Sequence, residues 1–150
     1  MEKTAILLVE DNLQEAELTL RALKRNSVRD KVSVVHDGVE AVDFLFCRNA
    51  YASRDPDDLP RLILLDLNLP RINGLEVLRI IRADPRTRLL PVVVLTSSTE
   101  EQDLLESYQS GTNSFLHKPV DFDEFVDSVR QVALYWLGLN RTAPYSPKKT

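Results

Sequence analysis

The sequence predicts a doubly wound α/β fold in which five parallel strands alternate with five helices. Three observations carry this. Ala5-Ile6-Leu7-Leu8-Val9, Leu62-Ile63-Leu64-Leu65 and Val92-Val93-Val94-Leu95 are unbroken apolar runs of strand length, the pattern of a sheet buried on both faces. The segments between the strands repeat apolar residues every three or four positions, as helices do. At 150 residues the chain is long enough to bury a core as one domain without staples.

Each element follows in order. The first strand, Ala5–Val9, ends in Glu10-Asp11, and Asn12 is a natural cap for a helix running to Arg25. Val32–Val35 forms the second strand. Asp37-Gly38 turns the chain into a helix from Val39 to Cys47. Arg48–Pro60 is polar, with Asp55-Pro56-Asp57-Asp58 inside it, and reads as a long surface loop. Leu62–Asp66 is the third strand, closed by Pro70. Asn73-Gly74 opens the next helix and Asp84-Pro85 ends it. Pro91–Thr96 is the fourth strand, and Ser98 or Thr99 caps a helix that Gly111 stops. Ser114–Leu116 is the heart of the fifth strand. The last helix runs from Phe122 to Leu137, with Phe122, Phe125, Val126, Val129, Ala133 and Trp136 on its apolar side. The domain is expected to span residues 4–139, with 140–150 a disordered tail.

Composition narrows the function classes. With 43% hydrophobic and 28% charged residues and a formal charge of -4, the chain lacks the basic face of a nucleic-acid binder, so direct DNA binding is not expected. No apolar run is long enough to span a membrane. Met1–Thr4 leads straight into a strand and an acidic pair, so a signal peptide is not expected there. The single cysteine, Cys47, cannot form an internal disulfide and sits among Phe44, Leu45 and Phe46, as a core or near-core thiol would. A cytoplasmic location fits.

Right-handed crossovers place all five strand C-termini on one edge of the sheet, where such folds bind ligands. Glu10, Asp11, Asp66, Thr96 and Lys118 all sit at strand ends, so three acids, a hydroxyl and an ammonium share one rim. Singly, each is ordinary: loop acids are commonly solvated or cap helices, and a lone lysine is commonly on the surface. Jointly they describe chemistry. Crowded carboxylates favour a divalent cation between them, and an all-oxygen donor set with open positions suits Mg²⁺. An aspartate can itself be a nucleophile and form an aspartyl phosphate. Phosphoryl transfer needs positioning and charge neutralisation, which the metal, Lys118 and the Thr96 hydroxyl would provide.

These residues resemble the receiver domains of bacterial two-component response regulators. The resemblance covers about residues 4–137 and rests on Leu8-Val9-Glu10-Asp11-Asn12, Leu65-Asp66-Leu67-Asn68-Leu69-Pro70, Gly74, Leu95-Thr96-Ser97 and Phe115-Leu116-His117-Lys118-Pro119. It implies the flavodoxin-like strand order 2-1-3-4-5. It implies Asp66 as phosphoacceptor, with Glu10, Asp11, Asp66 and the Asn68 carbonyl around Mg²⁺. Thr96 and Lys118 match the switch hydroxyl and the phosphate-contacting lysine, and Phe115 the aromatic that changes rotamer on phosphorylation. A cis bond at Lys118-Pro119 is also implied. Glu10 replaces the commoner Asp, which leaves metal binding intact; Phe115 replaces the commoner Tyr, which removes any phenolic hydroxyl.

The implied role is a phosphorylation switch that takes its phosphoryl group from a sensor histidine kinase and changes the partners of its fourth-helix, fifth-strand, fifth-helix face. It is not expected to be an enzyme beyond self-catalysed phosphotransfer and dephosphorylation. Only a short tail follows the last helix, so a stand-alone receiver is expected. The long loop before the third strand and the Tyr135-Trp136-Leu137-Gly138-Leu139 ending are similar to small regulators associated with bacterial phytochrome kinases. A homodimer is expected, its face extended by Tyr135, Trp136 and Leu139. A phosphorelay intermediate or a phosphate sink fits the same residues. An Asp-nucleophile phosphatase fits less well, because such enzymes commonly carry an acid two positions after the nucleophile and Asn68 stands there. An inactive interaction module would not need Asp11, Asp66, Thr96 and Lys118 together.

Overall fold

The computed structural model describes residues 4–26 and 31–144. The readings made at Met1–Lys3 and at the far end of the tail, from Tyr145 on, lie outside the described residues. The elements alternate as β1 (Thr4–Val9), α1 (Leu13–Arg25), β2 (Lys31–Val35), α2 (Gly38–Phe46), β3 (Leu62–Leu65), α3 (Gly74–Ala83), β4 (Val92–Thr96), α4 (Glu101–Gln109), β5 (Ser114–His117) and α5 (Phe122–Ala133). All strand pairs are parallel and the order is β2-β1-β3-β4-β5. The expected doubly wound sheet is therefore observed.

Alternation along each strand divides the core into two halves. Leu7, Val9, Ile63, Leu65 and Val92 face α2 and α3, where they meet Phe44, Leu45, Val77, Leu78 and Ile81. Ile6, Leu8, Leu64, Val93 and Leu95 face α1 and α5, against Ala16, Leu23, Phe125 and Val129. Burial on both faces is why β1 after Thr4, β3, and β4 before Thr96 are wholly apolar.

Side-chain caps start four of the five helices. Asn12, Asp37, Asn73 and Asp121 each accept the backbone N–H of the residue three positions on. The fourth helix departs from expectation. It begins at Glu101 after Glu100, which makes no side-chain cap bond. Ser98 instead forms a turn ahead of it, accepting the Glu100 N–H at 3.3 Å and bonding Asp103 Oδ2 at 2.5 Å. Gly111, at φ 104, reverses the chain after α4 in a conformation that glycine adopts without strain.

Three other expectations change in detail. The last helix does not stay α-helical to Leu137. From Leu134 to Leu139 it widens into π-helical turns, with the Asn140 N–H reaching the Tyr135 carbonyl at 2.6 Å. Arg61 holds that segment by a 2.7 Å bond to the Leu137 carbonyl. Trp136 packs half-buried against the α1/α5 half of the core and edge-on to Tyr135, leaving Leu134, Tyr135 and Leu139 as the exposed large side chains of the segment. The Lys118–Pro119 bond is trans, the form an X–Pro bond prefers when nothing opposes it. Cys47, half-buried at the end of α2 with its backbone left-handed, is near the core as expected.

The loop after β3 is pinned by a close approach. The Gly74 N–H donates to the Leu67 carbonyl at 2.9 Å, and a Cβ at Gly74 would overlap the Asp66 carbonyl and the Leu67 Cα. Gly74→Ala is thus expected to destabilise the fold by about 1–3 kcal/mol, the usual range for overpacking. A urea titration with an unchanged midpoint would show that the loop gives way freely.

Candidate functional site

Strand register builds the site. Val9 of β1 lies opposite Leu65 of β3, so the next residues, Glu10 and Asp66, leave the sheet side by side. The Asp66 N–H donates to the Val9 carbonyl at 3.1 Å, and the Glu10 N–H to the Val35 carbonyl at 3.0 Å. On the other side, Thr96 of β4 pairs with His117 of β5, and the Lys118 N–H donates to the Thr96 carbonyl at 2.7 Å. Four strands thereby deliver their terminal polar residues to one edge.

The geometry is tight where the carboxylates meet. Glu10, Asp11 and Asp66 can each present an oxygen such that all three lie within 4.8 Å of one another. Glu10 is 2% exposed and Asp66 8%, whereas Asp11 is open to solvent. Lys118, also buried, is the counter-charge. Its Nζ lies 2.5 Å from Glu10 Oε1, 2.5 Å from Glu15 Oε1 and 4.0 Å from Asp66 Oδ2.

Burial pushes the Glu10 carboxyl up to about 7, and the charge of Asp66 adds to that rise while Lys118 opposes it. Burial pulls Lys118 down, but its hydrogen bonds to Glu10 and Glu15 and the Asp66 charge outweigh this and hold the ammonium above its ordinary value. One ammonium thus faces more negative charge than it can balance. That imbalance, in an all-oxygen donor set with Asp11 open to solvent, fits a hard divalent cation such as Mg²⁺.

The remaining candidates lie around this centre. Thr96 is fully buried, and its Oγ1 accepts the Ser98 N–H at 3.2 Å. Asn68 is exposed on the loop two residues beyond Asp66. Phe115 is half-buried on β5, opposite Val94. The structure adds two residues that the sequence pattern did not single out. Glu15, in the first turn of α1, reaches Lys118. His36 places Nδ1 3.1 Å from the Glu10 carbonyl oxygen. An acid one helical turn after Asp11 was the available signal for Glu15, but such acids are frequent at helix N-termini for the dipole alone.

Comparison with known proteins agrees with this fold. The model of the response regulator receiver domain matches residues 6–130. The probable methanogenesis regulatory protein FilR2 of Methanothrix harundinacea is 42% identical over 137 residues, covering 91% of this chain and 86% of its own. The phosphorylated cyanobacterial phytochrome response regulator RcpA superposes with a TM-score of 0.86 at 36% identity, over 96% of this chain and 100% of that one. The bacteriophytochrome response regulator RtBRR is 44% identical, with a TM-score of 0.76 over 99% of this chain and 88% of that one.

The acidic cluster predicts a thermal signature. At a hundredfold excess over its Kd, Mg²⁺ should stabilise the protein by about 2.7 kcal/mol. Asp11→Asn removes one ligand charge and should weaken that Kd by about tenfold or more. A melting temperature that does not respond to Mg²⁺ in the wild type would contradict the metal assignment.

Proposed function

The chain belongs to the response regulator receiver family, and on that premise we propose that it is a phosphorylation switch whose phosphoacceptor is Asp66. The observation that carries this is the convergence of Glu10, Asp11, Asp66 and Lys118 at the carboxyl edge of the sheet. A carboxylate needs no base to act as a nucleophile. It needs the repulsion between itself and an incoming phosphoryl group to be neutralised.

In this reading an Asp66 oxygen attacks the phosphorus of a phosphohistidine on a sensor kinase. The P–N bond breaks, its electron pair stays on the imidazole, and a proton from water restores the neutral ring. Glu10, Asp11 and Asp66, with the Asn68 carbonyl, are the groups that would hold Mg²⁺. When bound, Mg²⁺ supplies positive charge against the phosphoryl oxygens. Lys118 closes its 4.0 Å gap to Asp66 and contacts the new phosphoryl group. The Thr96 hydroxyl, whose oxygen accepts the Ser98 N–H, donates its own proton to another phosphoryl oxygen. Asp66 is itself only 8% exposed, so the acyl phosphate forms at a largely buried carboxylate.

The readout is a population shift in which Thr96 and Phe115 rearrange and the α4–β5–α5 face changes partners. That face already exposes Leu104, Leu105 and Tyr108 on α4. Only Ser107 of α4 is buried, so the helix is held by little packing and can move at low cost. A homodimer through this face is part of the proposal, extended by the exposed Tyr135 and Leu139. The similarity to RcpA and RtBRR supports a kinase of the bacteriophytochrome type as the phosphoryl donor.

Incubation with acetyl phosphate and Mg²⁺ should add one phosphoryl group by intact mass, and Asp66→Asn should abolish it. A wild-type protein left unmodified would contradict the reading, and sustained turnover of phosphomonoesters would favour a hydrolase. Light scattering with and without a phosphoryl mimic should show a dimer in at least one state; a monomer in both removes the dimer.

A further inference from the structure

Lys118 has one partner that the phosphoacceptor reading does not use. Glu15 Oε1 lies 2.5 Å from Lys118 Nζ, as near as Glu10 and nearer than Asp66 at 4.0 Å. The two close acids differ in mobility. Glu10 is fixed at the end of β1, with its side chain 2% exposed and its Oε2 taking the Asn12 N–H. Glu15 stands on the first turn of α1 with its side chain 40% exposed, so it can rotate into water at little cost. No other acid is within ion-pair distance of Lys118 among the described residues.

We propose that Glu15 is a positioning residue that tethers the Lys118 ammonium in the resting state and releases it when Asp66 carries a phosphoryl group. This rests on Asp66 being the phosphoacceptor. A lysine ammonium has three protons to donate. In the resting state two are committed to Glu10 and Glu15, and the approach to Asp66 is left open. A phosphoryl group on Asp66 offers stronger, doubly charged acceptors on that side, and Nζ must shift toward them. The bond to Glu15 is the one that breaks, because the half-exposed Glu15 side chain can turn into water while Glu10 is buried and held by the Asn12 N–H. Glu15 thus lowers the energy of the resting state relative to the phosphorylated one, setting how readily the switch turns on and how soon it turns off.

The probe is beryllofluoride, a phosphoryl mimic, titrated at saturating Mg²⁺ against the full chain. Glu15→Gln keeps the shape and removes the charge, and should tighten beryllofluoride binding by about fivefold, the scale of a half-exposed ion pair. Glu17→Gln, an exposed acid on the same helix that also removes one charge, should leave it within about twofold. The Lys118 side-chain ammonium resonance of the resting protein should shift in Glu15→Gln and not in Glu17→Gln. Equal or weaker beryllofluoride binding by Glu15→Gln overturns the tether. An equal gain from Glu17→Gln also overturns it, since the effect would then be net charge alone. Failure of the wild type to bind beryllofluoride would instead overturn the phosphoacceptor reading, which keeps the two claims apart.

Discussion

The pairing of β1 with β3 in parallel, Val9 opposite Leu65, is the constraint on which the rest depends. A slip of one residue would turn Ile63 and Leu65 away from the α2/α3 core and send Asp66 to the far side of the strand. The hydrophobic requirement on both faces therefore fixes the position of the two buried carboxylates. Stability and chemistry are bound together here: the apolar residues that make the sheet favourable to bury also force like charges into contact at its edge. That contact is tolerated because Lys118 arrives from β5, 108 positions along the chain from Glu10, and partly neutralises it.

A site made this way carries more negative than positive charge. Burial raises Glu10, and Lys118 responds by staying fully protonated between several acids. In the proposed switch an ammonium in that position is both counter-charge at rest and donor to an incoming anion. The same residue cannot serve both roles at full strength at once, so its partners at rest decide how available it is. In that reading α1, through Glu15, bears on the chemistry alongside the loop that carries Asp66 and the strand end that carries Thr96. The loosely packed α4 lies on the side where a change at Thr96 would be felt, because Thr96 leads through Ser98 and Asp103 into its first turn.

Much of this was legible in the sequence, for identifiable reasons. Short apolar runs such as Leu62–Leu65, bounded by polar and Pro residues, read as buried strands, and acids placed immediately after them lie on the carboxyl edge. Helix starts at Asn12 and Asn73 were legible because short polar caps leave a local signature. The misses have local causes too. The α4 start is set by a serine turn rather than a cap, and the widening after Ala133 depends on contacts such as Arg61 with the Leu137 carbonyl, which no periodicity encodes. Trp136 fits a helical stripe equally well facing in or out, and only packing against α1 and α5 decides. Glu15 was hidden because an acid in a first helical turn has an ordinary explanation; its reach to Lys118 is a tertiary fact spanning 103 positions.

The central claim is that Asp66, and no other carboxylate of the cluster, carries the phosphoryl group. Borohydride reduces an acyl phosphate and leaves free carboxylates intact, so it marks the residue itself. After phosphorylation in the presence of Mg²⁺, reduction and peptide mapping should place the reduced side chain at Asp66. A reduced residue at Glu10, Asp11 or Glu15, or none in a protein shown to be phosphorylated, would contradict the account.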